Sequence, residues 1–128
     1  MANGVFDRAT AAIAGRGLVW LGFAMLAGCD APDSDLGDAR VGQAIVTQQD
    51  CGACHRIPGI SGAEGTAGPP LDHFATQARI AGVLPNRPAA LERFLLSPET
   101  VVKNGAMPNM ALSQTQARQI AAYLYTLK

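Results

Sequence analysis

The chain has 128 residues, of which 48% are hydrophobic and only 5% aromatic, so it forms at most one small domain with a sparse aromatic core. Ten basic and ten acidic side chains balance to a formal charge of zero. This balance gives no reason to propose nucleic-acid binding, which depends on a basic patch or stripe.

Residues 1–28 have the pattern of an export signal. Two arginines precede an apolar run over residues 18–28, as in a charged region followed by a hydrophobic region. The run is shorter than the roughly 20 apolar residues of a membrane-spanning helix, although an uncleaved anchor remains an alternative. Its end, Leu26-Ala27-Gly28-Cys29, resembles the lipobox of bacterial lipoproteins. The resemblance implies cleavage before Cys29 and lipidation of its thiol; ordinary secretory cleavage with a spare cysteine is the other interpretation.

Residues 29–37 are predicted to be a lipidated tether, because they are acidic and contain proline and glycine. Each buried methylene of an acyl chain contributes about 0.8 kcal/mol, so several chains would hold the protein on a membrane surface. Asp30 resembles the residue that retains some lipoproteins at the inner membrane. The expected location is the periplasmic side of the bacterial inner membrane.

Residues 38–128 form the predicted domain, and its first element is a helix over residues 38–50. Asp38 favours the N-terminal end of a helix. An apolar side follows at helical spacing, formed by Val41, Ile45 and Val46. Gly42 costs about 1 kcal/mol relative to Ala within a helix, which is tolerable if a second helix approaches closely there.

The run Cys51-Gly52-Ala53-Cys54-His55 is the most informative motif of the chain. C-x-x-C-H is the attachment signature of c-type haem: each thiol adds across a porphyrin vinyl group, and the histidine Nε2 faces the iron. Two alternatives remain. A thioredoxin-like dithiol needs a strand-helix-strand pattern that the sequence lacks. A zinc site using Cys51, Cys54, His55 and His73 lacks a second cysteine pair.

Residues 56–87 are predicted to be a long connection, rich in glycine and proline and with little helical period. Such a connection in a compact domain is usually functional. It contains Gly68-Pro69-Pro70-Leu71. A ligating histidine normally donates its second ring N–H to a carbonyl or carboxylate, and Pro69 could present that carbonyl. A plain rigid turn is the other interpretation.

The remaining chain predicts helices separated by one irregular loop. Residues 88–96 read as a short amphipathic helix with proline at its first position, and Ser97-Pro98-Glu99 as another cap and first turn. Residues 103–110 break the periodicity. Ser113 and Gln116 have the spacing of a capping box at the start of a terminal helix, which should cross the first helix near Gly42.

A methionine thioether on the second axial side of a haem iron favours Fe(II), and Met107 and Met110 are the candidates. Met107 is preferred because Pro108 stiffens its backbone and the loop contains no histidine. His73 is a further alternative, as the second ligand of a bis-histidine site.

In their order along residues 38–128, these features resemble class I monohaem cytochromes c. Three segments look closer to the cytochrome c domain fused to subunit II of some bacterial haem-copper oxidases: Val83-Leu84-Pro85-Asn86, Ala106-Met107-Pro108-Asn109 and Ala121-Ala122-Tyr123-Leu124. The resemblance implies an all-α fold in which the N- and C-terminal helices cross. A short middle helix and long loops would then surround one covalent haem.

The same resemblance implies roles for individual residues. The sites are thioethers at Cys51 and Cys54, axial ligands His55 and Met107, the Pro69 carbonyl on His55, and propionate partners Arg79 and Asn86. Phe94 stands where many relatives place a propionate-bonding tryptophan, so that hydrogen bond is missing. The copper-binding oxidase domain is also missing, which favours a free-standing carrier.

The expected function is one-electron transfer by a membrane-anchored carrier in a respiratory or photosynthetic chain, not enzymatic catalysis. Its partners would be a redox protein donor and acceptor, with a terminal oxidase among the candidates. We expect a monomer that binds no nucleic acid. The alternative from another class is a haem enzyme or gas-binding sensor with an open sixth site.

Overall fold

The computed structural model describes residues 36–128. The predicted signal peptide over residues 1–28, the lipidation site Cys29 and most of the tether over residues 29–37 lie outside the described part. The described part of the chain contains four α-helices: α1 (Ala39–Gln48), α2 (Pro88–Leu96), α3 (Pro98–Val101) and α4 (Gln114–Leu124). No helix within residues 36–128 is long and apolar enough to cross a membrane.

The ends of the helices follow the capping signals in the sequence. The Asp38 carboxylate accepts a hydrogen bond from the Arg40 N–H at 2.8 Å, which satisfies one of the free donors at the start of α1. Ser113 and Gln116 form the predicted capping box of α4. Helix α2 begins at Pro88 and spans the predicted residues. Helix α3 forms as well, but the Ser97 side chain makes no cap bond, so that part of the prediction is wrong.

Helices α1 and α4 pack against each other at Gly42, as predicted. A Cβ atom at this glycine would overlap the Gln119 main-chain carbonyl and lie 3.0 Å from the Tyr123 Cβ. Only a residue without a side chain permits this approach. Helix α2 packs against α4. The helical members of the core are Ile45, Val46, Leu91, Leu95, Ala117, Ile120, Ala121, Tyr123 and Leu124.

The connection between α1 and α2 contains more structure than its sequence predicts. Two-residue strands, β1 (Arg79–Ile80) and β2 (Leu84–Pro85), form an antiparallel hairpin. A 3₁₀ turn over Phe74–Thr76 precedes them. The fold remains predominantly helical, and this hairpin is a short exception.

Candidate haem-attachment site

The C-x-x-C-H motif forms a tight turn directly after α1. Cys51–Ala53 make one turn of 3₁₀ helix, and the His55 N–H donates to the Cys51 carbonyl at 3.0 Å. Both thiols are free, Cys51 half-buried and Cys54 exposed. Burial raises the pKa of the Cys51 thiol, and the negative charge of Asp50 adds to this increase. The turn therefore offers one half-buried and one exposed sulfur within a few residues of an imidazole.

The imidazole of His55 is fixed on one side by a main-chain carbonyl. Its Nδ1 lies 2.7 Å from the Pro69 oxygen, and because a carbonyl only accepts, Nδ1 carries the hydrogen. The lone pair on Nε2 is then available to a metal. This is the contact expected from the sequence, while its part in iron ligation stays a prediction.

Gly68 lies against the flat side of the same ring. A Cβ atom there would stand 2.6 Å from Nδ1 and 2.9 Å from Nε2 of His55, closer than atoms can pack. Any larger residue would displace the imidazole. The sequence predicts no separate role for Gly68 within its motif, because nothing local indicates that a ring 13 positions earlier packs on it.

Residues 65–71, here called the strap, are joined to residues 52–56 by three main-chain hydrogen bonds. The Gly65 N–H donates to the Gly52 carbonyl at 3.0 Å, the Gly68 N–H to the Cys54 carbonyl at 2.7 Å, and the Leu71 N–H to the Arg56 carbonyl at 2.9 Å. These bonds place the Pro69 carbonyl beside the imidazole. The arrangement restrains the imidazole of His55.

Several apolar side chains at the edge of the core are only partly covered by protein. Those that pack against the core while remaining half-exposed include Leu71, Leu84, Phe94, Leu96, Met107 and Leu112. Exposed apolar surface of this kind is favourable only when something covers it. Together with two free thiols and an oriented imidazole, it fits a large, flat, mostly apolar group attached through sulfur.

The methionine loop follows α3. Met107 is half-buried and packs against the core. Two residues on, the Asn109 amide donates to a Glu99 carboxylate oxygen at 3.3 Å and accepts from the Ala111 N–H at 2.9 Å. Met110 is also half-buried. Met107 is thus the methionine of this loop that packs against the core, and its ligation of the iron stays a prediction.

Of the two predicted propionate partners, Arg79 is the first residue of β1 and Asn86 directly follows β2. The exposed Arg79 guanidinium donates to the Val83 carbonyl at 3.3 Å. The Asn86 amide donates to the Phe74 carbonyl at 2.7 Å and the Gln77 carbonyl at 2.9 Å, and it accepts from the Tyr125 hydroxyl at 2.8 Å. Both amide hydrogens are therefore engaged. A propionate contact at Asn86 stays a prediction that would require one of these bonds to be exchanged.

The bis-histidine and zinc alternatives both depend on the position of His73. His73 is exposed, with a φ of 54°, at the start of the Phe74–Thr76 turn. Within residues 36–128 no group of three or more His, Cys, Asp and Glu side chains is arranged to hold a metal ion. The zinc interpretation would need such a group.

A C-x-x-C-H turn with free thiols, an imidazole oriented by a carbonyl, and uncovered apolar surface together define a protein with a covalently attached haem. A family model described as Cytochrome c matches residues 39–128. The chain therefore belongs to the cytochrome c family, and its cofactor is a covalently bound, iron-containing c-type haem. The match confirms the predicted all-α cytochrome fold and indicates haem-based electron transfer. No curated protein and no solved structure matches the chain significantly.

Proposed function

We propose that the chain is a one-electron carrier whose haem is attached at Cys51 and Cys54 and ligated by His55 and Met107. The observation that carries this proposal is the 2.7 Å contact between His55 Nδ1 and the Pro69 carbonyl, which leaves Nε2 for iron. When bound, the haem supplies Fe(III)/Fe(II) cycling, and the protein supplies ligands, insulation and tuning of the potential.

Met107 is the proposed sixth ligand. Its half-buried position against the core and the rigid Pro108 that follows it support this choice. A thioether on the second axial side favours Fe(II) and raises the potential. With protein atoms on both axial sides, the iron has no open position for a substrate or gas, so electron transfer is the function that this arrangement supports.

Two matched methionine variants test the ligand assignment. In the ferric holoprotein, Met107→Ala should abolish the sulfur-to-iron charge-transfer band in the near-infrared and allow rapid CO binding after reduction. Met110→Ala, in the same loop, should change neither. The reverse result would assign the ligand to Met110. A wild-type protein with a high-spin ferric spectrum and fast CO binding would favour the haem enzyme or gas sensor instead.

We further propose that residues 1–28 are removed as a lipoprotein signal, that Cys29 carries the lipid, and that residues 29–37 tether the domain of residues 38–128. The support is the sequence pattern that ends in Leu26-Ala27-Gly28-Cys29. The carrier would then work on the periplasmic side of the inner membrane. It would pass electrons between membrane-associated redox proteins of a respiratory or photosynthetic chain, with a terminal oxidase among the candidate acceptors.

Mass spectrometry of the mature protein tests the attachment. The expected mass corresponds to residues 29–128 with one haem and acyl groups on Cys29. The Cys29→Ser variant should carry haem but no acyl groups. A wild-type mass without acyl groups would contradict the anchor while leaving the haem assignment intact.

A further inference from the structure

An ion pair joins Arg56, the residue after His55, to Asp72, the residue directly after the strap. The Arg56 Nε and Nη2 atoms lie 2.9 Å and 2.8 Å from the same carboxylate oxygen of Asp72. Both donors of one edge of the guanidinium are thus used, a charge-assisted arrangement with strong directional preference. The Arg56 guanidinium is the first cause that lowers the pKa of Asp72.

The position of this pair matters because of the two prolines in the strap. Pro69 and Pro70 have no N–H, so the strap has no main-chain donor between Gly68 and Leu71. The carbonyl that contacts His55 therefore lies in a stretch held only at its two ends. The Gly68 N–H fixes one end on the Cys54 carbonyl. At the other end the Leu71 N–H bonds to the Arg56 carbonyl, and the Arg56 side chain holds Asp72.

The pair contributes little to global stability, since its side chains are 54% and 30% exposed and exposed ion pairs are weak. Its local effect is different. Because residues 55 and 56 are adjacent, a longer distance between the Arg56 and Asp72 side chains should also lengthen the contact between the imidazole and the Pro69 carbonyl. That distance determines how strongly the histidine is polarised.

We propose that Arg56 and Asp72 are positioning residues for the axial histidine: their ion pair holds the Pro69 carbonyl on Nδ1 of His55 and thereby lowers the haem potential. This inference rests on the proposed function in one respect, namely that His55 ligates the iron. A strongly hydrogen-bonded imidazole is a more basic ligand and favours Fe(III). Loss of the ion pair should therefore weaken the hydrogen bond and raise the potential.

The test uses the holoprotein. It distinguishes the effect of the ion pair on the position of the Pro69 carbonyl from the effect of a change in net charge. Arg56→Gln and Asp72→Asn each break the pair, and the double variant Arg56→Gln/Asp72→Asn breaks it with no change in net charge. Arg40→Gln is the matched control, because it also removes one positive charge, from a pair that is 3.7 Å long and whose arginine side chain is 92% exposed.

The first readout is the rate at which the His55 Nδ1 hydrogen exchanges with D₂O in the ferrous protein, followed by NMR. Both single variants and the double variant should exchange about two- to fivefold faster than wild type, the factor that corresponds to a partly exposed ion pair. The Arg40→Gln variant should exchange at the wild-type rate. The second readout is the potential, which should rise in the double variant.

A wild-type exchange rate or a wild-type potential in the double variant would overturn the proposal, since charge alone would then explain any effect of the single variants. The failure of the proposed function has a separate signature. If the wild-type holoprotein shows no resonance from an iron-bound His55, the ligand assignment itself is wrong. If that resonance is present and the variants leave its exchange unchanged, only the role of the ion pair is refuted.

Discussion

Replacing Gly42 with Ala tests whether the close approach of α1 and α4 governs the stability of the domain. Two effects oppose each other. Alanine in a helix is favoured over glycine by about 1 kcal/mol. The added Cβ would, however, overlap the Gln119 carbonyl and press on Tyr123 at 3.0 Å, and overpacking costs about 1–3 kcal/mol. Because the nearest atom to the added Cβ belongs to the main chain, α1 and α4 would have to move apart as whole helices. We therefore expect a loss of unfolding free energy near the upper value.

The net loss for Gly42→Ala is therefore about 2 kcal/mol, which corresponds to a fall in Tm of roughly 10 °C for a domain of this size. Guanidinium and thermal unfolding of the ferric holoprotein, followed by circular dichroism, measure it. The control is Ala44→Gly on the exposed side of α1, which changes helix propensity alone and should cost about 1 kcal/mol. If Gly42→Ala is as stable as wild type or more so while the control is destabilised, the reasoning is refuted.

Three further predictions concern single polar contacts. Asn86→Ala should cost about 3 kcal/mol in chemical unfolding, because two carbonyls and a phenol lose their partner; an unchanged midpoint would contradict this role. Ser113→Ala should lower the free energy of unfolding by about 1 kcal/mol through loss of the capping box. An unchanged free energy of unfolding would contradict the role of Ser113 as the cap of α4. Burial raises the pKa of the Tyr123 phenol. The neutral phenol therefore stabilises the folded state at pH values below its usual pKa of about 10. This stabilisation is lost as the pH rises through the higher pKa of the folded state. Tyr123→Phe should lose about 1 kcal/mol at pH 7 but show less of that alkaline decline.

The parts of the fold that could be predicted from sequence are those fixed by local signals. Proline at the first position of α2 and the Ser113–Gln116 box act within a few residues, and both helices begin where these signals place them. Gly42 was informative for a different reason. A glycine is unfavourable in a helix, and the structure shows that a neighbouring helix requires it.

The parts that could not be predicted depend on contacts between distant residues. The hairpin has strands of only two residues, too short to show an alternating pattern. Asn86 bonds with Tyr125 across 39 positions, and Arg56 with Asp72 across 16. Neither pairing leaves a periodic trace in the sequence. The contact of Pro69 with His55 was expected because a motif and a family resemblance indicated it.

The two axial sides of the proposed haem site are restrained to different degrees. On the histidine side, three main-chain hydrogen bonds join the strap to the turn, and the Arg56–Asp72 pair adds a charge-assisted contact. On the methionine side, the described contacts of the loop include the exposed hydrogen bonds of Asn109 and the packing of Met107 on the core. A carrier needs both ligands to remain in place when the iron changes oxidation state. The histidine is therefore held by several main-chain hydrogen bonds. The methionine is held chiefly by apolar packing, because exposed hydrogen bonds contribute little. Reorganisation on electron transfer should therefore fall mainly on the Met107 loop.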